Sequence, residues 1–246
     1  VRRACIRGLT KTNPVGDVLE EFIDCVYHAM RNDDSPEVRA NALGAISVLS
    51  DSMPVGFLIG VFKDDVSEEV RWRALEILDG LRHMEDVRGA LILSLHSDGS
   101  EKIRKKVANI LSIEGEDSDI QALVESLRLE QEISVKVHVA SLLKGRDYPE
   151  IHRLMEKFAR HSLSEDLRVQ ACEHLISFDI EEHRSIILDV LEDPEIWVGG
   201  LILSLADVGG EWAIEALEKL HDHPVKGIRE YSKMATSKIR RRVSDS

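Results

Sequence analysis

The chain has 246 residues, with 45 acids against 32 bases and a formal net charge of −13. It carries only 15 Gly, 6 Pro and 4% aromatics, yet 43% of it is apolar. Average chains hold roughly 7% Gly and about 5% Pro, so this composition excludes sandwiches, barrels and disordered linkers and predicts helices around a sizeable core.

The elements repeat along the chain. Val1-Arg2, Val38-Arg39, Val70-Arg71, Ile103-Arg104, Val135-Lys136, Leu167-Arg168 and Ile228-Arg229 each pair an aliphatic anchor with a base, and from Val38 to Leu167 the intervals are 32, 33, 32 and 32 residues. Such a period is the mark of a repeat architecture. The chain opens on the anchor position of a second helix (helix B) with no helix A before it, so the first repeat reads as truncated and the chain as part of a larger protein. Helix A of the second copy is expected over roughly Val15 to Arg31. Further amphipathic runs follow at Met53–Lys63, Met84–Ser97, Asp119–Leu129, Tyr148–His161, Glu181–Glu192 and Glu211–His221. Between them stand the anchored B helices, with an atypical seventh copy at Ile196-Trp197.

Three positions before the anchors stand Ser35, Ser67, Ser100, Ser164 and Asp193, side chains that satisfy free N–H groups at a helix start. Pro36, Glu68, Glu101, Glu165 and Pro194 come next, as the first turn and the helix dipole favour. On a helical wheel, offsets 0, 4, 5, 7 and 8 from the anchor are apolar, as in Val70, Ala74, Leu75, Ile77 and Leu78, and form one broad arc. The base at offset 1 falls inside that arc. Its stem should lie in the seam between repeats, with Asp34, Asp65 and Asp98 as partners. Trp197, at the same offset, is expected to be buried, with Gly199-Gly200 inside the helix after it.

The segments Asp34-Ser35-Pro36-Glu37-Val38-Arg39-Ala40-Asn41-Ala42-Leu43 and Ser67-Glu68-Glu69-Val70-Arg71-Trp72-Arg73-Ala74-Leu75 resemble the short HEAT-like repeat of the phycobilisome-lyase type. The resemblance covers nearly the whole chain. It implies an all-α fold, a right-handed α-solenoid of about eight two-helix repeats spanning 1–246 as one domain, with anchors near Val1, Val38, Val70, Ile103, Val135, Leu167, Ile196 and Ile228. It also implies that B helices line the concave face. Deoxyhypusine hydroxylase, a HEAT-like iron enzyme, uses His-Glu pairs; this chain has no such dipeptide, and Glu173-His174 and Glu182-His183 are reversed.

Offsets 2, 3 and 6 of helix B lie away from the core arc and vary between copies, as a binding face beside a fixed scaffold does. The candidate partner-binding residues are Asn41, Trp72, Arg73, Glu76, Lys105, Lys106, Asn109, His138, Gln170 and Glu173. Trp72 beside Arg73 has the composition of an interface anchor. No nucleophile elbow, phosphate loop, dinucleotide motif or HExxH appears. His221-x-His223 is a polar turn rather than a metal pair, and Cys172 sits at a core offset. No cofactor and no metal is expected, and the chain reads as more suited to binding than to catalysis.

The leading function is a scaffold that binds a protein or peptide on its B-helix face. The alternatives are a cofactor-handling enzyme resembling the bilin lyases and a HEAT-like nucleic-acid-binding module. An acidic chain suits nucleic acid poorly, because phosphate binding runs on Lys and Arg. Residues 225–246 depart from the rest, with seven bases against two acids, a net +5 that leaves −18 elsewhere. That run reads as a capping helix. No apolar run approaches a membrane span and no signal peptide opens the chain. Cys5, Cys25 and Cys172 are far apart with no CxxC, which suits a reducing cytoplasm.

Overall fold

A computed structural model of the chain describes residues 17–49, 54–178 and 181–244. The Val1-Arg2 anchor and Cys5 lie outside the described residues. The chain forms two compact units, Val1–Gly115 and Glu116–Ser246.

Among the described residues there are fourteen α-helices and no strand. The first unit holds three A–B pairs: α1 (Asp17–Asn32) with α2 (Pro36–Leu49), α3 (Val55–Asp64) with α4 (Glu68–Asp79), and α5 (Glu85–Ser97) with α6 (Glu101–Glu114). The second holds four: α7 (Asp117–Leu129) with α8 (Ile133–Leu143), α9 (Pro149–His161) with α10 (Glu165–Ile176), α11 (Arg184–Leu191) with α12 (Gly199–Val208), and α13 (Glu211–Lys219) with α14 (Lys226–Ser244). Odd-numbered helices are A and even-numbered ones B. Within each unit B helices pack on B helices, as α2 on α4 and α10 on α12, and A helices on A helices, as α3 on α5 and α9 on α11. This is an all-α solenoid architecture.

The wheel accounts for the core. The anchors Val38, Val70, Ile103, Val135, Leu167, Ile196 and Ile228 are all buried. Val70, Ala74, Leu75 and Leu78 of α4 are completely buried, each large aliphatic contributing about 1.5–3 kcal/mol by leaving water. Within each unit the pairs bury their apolar faces by stacking on one another, as repeat units require. Ser100 and Ser164 accept the Ile103 and Leu167 N–H groups. Ser67 makes no such bond. Its turn is set instead by the Asp65 carboxylate, which accepts the Ser67 N–H at 2.8 Å.

The seam arginines form a ladder. Arg39 donates Nε and Nη2 to the two carboxylate oxygens of Asp65, both at 2.8 Å. Arg71 does the same to Asp98 at 2.9 Å, and Arg168 reaches Asp193 at 2.9 Å. The partner therefore stands in the turn of the next repeat. Asp34 meets Arg39 through its backbone and not its carboxylate: Arg39 Nη1 donates to the Asp33 and Asp34 carbonyls of that turn at 2.8 and 3.4 Å. The same donation to a carbonyl six residues back recurs from Arg71 to Asp65, Arg104 to Asp98 and Arg229 to His223. Each of these four arginines thus closes its own turn, and Arg39 and Arg71 also hold the following one; Arg168 holds the following turn while donating to the Ala159 carbonyl of α9.

The seventh copy departs from the wheel. After Asp193 the chain runs through turns and a bend, and α12 begins only at Gly199. Gly199 and Gly200 therefore open the helix rather than sit inside it. Trp197 lies ahead of the helix, off the seam, and is 53% exposed, against the expectation of burial. Its ring lies over Gly227 of α14, where a Cβ would stand 2.9 Å from the ring edge, and packs edge-on to Tyr231 at 6.5 Å.

Candidate functional site

The B-helix faces of the two units are the candidate binding surfaces, each taken by itself. In the first unit Trp72 is half-buried rather than fully exposed as its wheel position predicts. The indole Nε1 donates to Glu76 Oε1 at 3.2 Å, and Lys102 Nζ of α6 sits 4.1 Å above the ring. Such a cation–π contact contributes roughly 0.5–1 kcal/mol at an exposed site. Arg73, one residue on, pairs with the other Glu76 oxygen at 2.8 Å with both side chains well exposed. Glu76 thus fixes Trp72 and Arg73 together.

Lys106 crosses to Asp79 Oδ2 at 3.0 Å, and Lys105 lies 3.8 Å from Glu101 on its own helix. Asn41 donates to the Glu37 carbonyl one turn back and, like Asn109, is half-exposed. The structure brings Trp72, Arg73 and Glu76 into one cluster, with Lys105, Lys106 and Asn109 on the adjoining helix. Asn41 stands on α2.

In the second unit His138 and Gln170 are half-exposed on α8 and α10. Glu173 is a correction. The wheel sets it on the open face, but only 8% of it is exposed, because Lys144 at the end of α8 bonds it at 2.7 Å and Gly200 packs against its carboxylate. Lys102 and Lys144, which no wheel position singles out, cover Trp72 and Glu173. The sign was present as spacing: each pair is separated by slightly less than one repeat, which sets the two side chains on neighbouring B helices.

The basic C-terminal run is engaged within its own unit. Lys238 pairs with Asp207 and Arg240 with Glu218. Arg242 donates to the Ala206 carbonyl at 3.0 Å and to the Asp207 and Gly209 carbonyls, at the negative end of α12. A cation at a helix C-terminus stabilises it by typically 0.3–1 kcal/mol. His223 Nδ1 accepts the Val225 N–H within the turn, and His221 Nε2 lies 3.3 Å from Thr236 Oγ1 of α14, so each is engaged inside its own unit. Among the described residues no group of three or more His, Cys, Asp or Glu side chains is placed to hold a metal. No described helix is long and apolar enough to cross a membrane.

Residues 22–53 match the HEAT repeat family, and residues 55–144 match the family of HEAT repeats. This is a HEAT-like repeat protein. The matches run from within α1 to just past α8, and the same helix pairs continue to α14 in the HEAT-like repeat protein's second unit. No curated protein matches the chain. HEAT repeats commonly form protein-binding scaffolds.

Proposed function

We propose that this HEAT-like repeat protein is a non-catalytic scaffold. It binds a protein or peptide along the exposed face of its B helices, centred in the first unit on Trp72, Arg73 and Glu76. The observation that carries this reading is the fixed Trp72 ring, held between Glu76 and Lys102 with part of its face open. Trp and Arg are the side chains most enriched among interface anchors. A side chain already held in place loses little rotamer freedom on binding. Lys105, Lys106 and Asn109 flank the cluster in the first unit. His138 and Gln170 occupy the corresponding face of the second unit.

The test is affinity capture from extracts of the native cell with three forms: the wild type, Trp72→Ala plus Arg73→Glu, and Lys63→Glu on the exposed side of α3. Matched thermal melts establish that all three are folded. The reading requires that a partner retained by wild type and by Lys63→Glu is lost from the double variant. Unchanged recovery by the double variant refutes the proposed site.

A further inference from the structure

His174 stands seven residues after the Leu167 anchor, an offset that is apolar in most other B helices, and it is completely buried. Its Nε2 lies 3.1 Å from Nδ1 of His152 on α9. His152 Nε2 in turn lies 3.0 Å from Oδ1 of Asp147, in the turn between α8 and α9. Phe178 closes the group, edge-on to His152 at 4.3 Å and tilted against His174 at 4.9 Å. The three side chains form a chain of hydrogen-bonding groups running from an exposed carboxylate to a sealed imidazole.

The protons on that chain follow from what each atom can do. An ionised Asp147 only accepts, so His152 Nε2 carries a hydrogen. With His152 neutral, its Nδ1 accepts from His174 Nε2–H. His174 Nδ1 is then a bare lone pair; it has no hydrogen-bond partner among the described residues, and the Leu143 carbonyl is its polar neighbour. With one added proton, His152 becomes an imidazolium beside Asp147, its Nδ1–H donates to His174 Nε2, and the His174 hydrogen moves to Nδ1, toward Leu143. Every ring nitrogen is then used. A second proton has only His174 Nε2 left to bind, the atom that His152 Nδ1–H already points at.

Other charges around His174 are few. From α9 it meets His152, with Glu156 behind it. His183, from the segment before α11, is buried with Nδ1 3.6 Å from Glu156 Oε1. Glu173, on the same helix, is bound to Lys144. Burial is the largest influence holding the His174 ring neutral, down to about 4, aided by His152 and His183; the Leu143 carbonyl and Asp147 pull the other way.

We propose that the Asp147–His152–His174 chain is a proton-operated latch between α9 and α10: it holds the two helices together while it carries at most one added proton, and the second proton parts them. The doubly charged pair would place two N–H groups head-on within a sealed apolar site. The latch therefore yields by separating α9 from α10 and letting water reach His174. This device goes beyond the binding function and stands whether or not the B-helix face is the docking site.

The test is amide hydrogen exchange of the full chain at pH 7 and pH 5, corrected for the intrinsic chemical rate, in wild type and in His174→Phe. Opening of α9 and α10 (Pro149–Ile176) in wild type should rise about tenfold at pH 5, with little change over α3 and α4 (Val55–Asp79). His174→Phe should abolish the rise. Should that variant not fold, His174→Leu, with the aliphatic residue that stands at this offset as Leu142 and Leu203 in other B helices, carries the same expectation. Ring-nitrogen NMR of wild type adds a readout that needs no variant. Equal protection at the two pH values, a rise that persists in the variant, or a His174 ring that titrates as an ordinary exposed histidine would each overturn the latch.

Discussion

Arg71 and Asp98 meet through two parallel hydrogen bonds, Nε to Oδ2 and Nη2 to Oδ1, both 2.9 Å, which tie α4 to the turn that begins α6. The side chains are 14% and 6% exposed. A two-point guanidinium–carboxylate contact is directional as well as strong, so it fixes where the next repeat starts. Removing one partner leaves the other charge buried, which costs roughly 3–5 kcal/mol for a fully buried pair. Arg71→Met should cost about 2–3 kcal/mol in urea unfolding, and a double-mutant cycle with Asp98→Asn should show coupling of about 1–3 kcal/mol. Strict additivity would mean that the contact is incidental.

The equivalent Arg39–Asp65 pair predicts acid sensitivity. Burial pushes the Asp65 carboxyl up, but hydrogen bonds from Arg39 and the Ser67 N–H outweigh it and hold the group below the usual carboxylate range. The unfolded carboxyl titrates near about 3.9. Stability from this pair is therefore complete above that value and lost as pH falls through the lower folded one. Asp65→Asn should flatten the acid limb of the stability curve below about pH 4.

His174 acts at milder acidity and in the same direction: the folded chain again disfavours the proton, here because burial favours a neutral ring. Its folded value is pushed down from 6.5 to about 4, chiefly by burial. Between these values the unfolded chain binds more protons, so stability is full above about pH 6.5 and falls toward pH 4. Thermal or urea unfolding of the second unit should lose about 2 kcal/mol from pH 7 to pH 5. His174→Phe should remove that dependence. A variant that keeps the whole loss would assign it to other groups.

Gly200 faces the Glu173 carboxylate so closely that a Cβ there would collide with Oε1. Gly200→Ala gains up to about 1 kcal/mol of helix propensity but must displace a carboxylate held by Lys144. The net effect should be a loss of about 1–2 kcal/mol. In a Glu173→Ala background the same change should become neutral or stabilising. A stabilising Gly200→Ala in the wild-type chain would contradict the placement of Glu173.

Cys172 is completely buried, and burial pushes its thiol up to about 12. Cys25 is exposed. Iodoacetamide at pH 8 should modify Cys25 and spare Cys172 until denaturant is added, as peptide mass spectrometry can read. Equal labelling of the two in the native chain would contradict the core.

The regular part of the fold was legible because its cause is periodic. Val70, Ile103 and Val135 recur at one spacing, their offsets are apolar at the helical period, and burial follows. The arginines could be placed in the seam for the same reason. That Arg39 reaches the carboxylate of Asp65 rather than that of Asp34 could not be read, since a wheel describes one helix and the contact joins two repeats. Trp197 escapes the wheel, which assumes that the helix starts at its cap; here it starts at Gly199, which shifts the phase of all that precedes it. Glu173 and Trp72 were read as open because Lys144 and Lys102, which cover them, belong to other helices. His174 left one visible sign, a titratable ring at an apolar offset. His152, 22 residues away on the facing helix, left none.

The binding claim meets its most direct test in site-specific photo-crosslinking within the native cell. A photoreactive residue at position 76 lies on the exposed B-helix face of the first unit, and one at position 63 lies on exposed α3. A discrete crosslinked partner is expected from position 76, absent from position 63 and lost when Trp72→Ala is added. A crosslink from position 63 alone, or a crosslink from position 76 that survives Trp72→Ala undiminished, would contradict it.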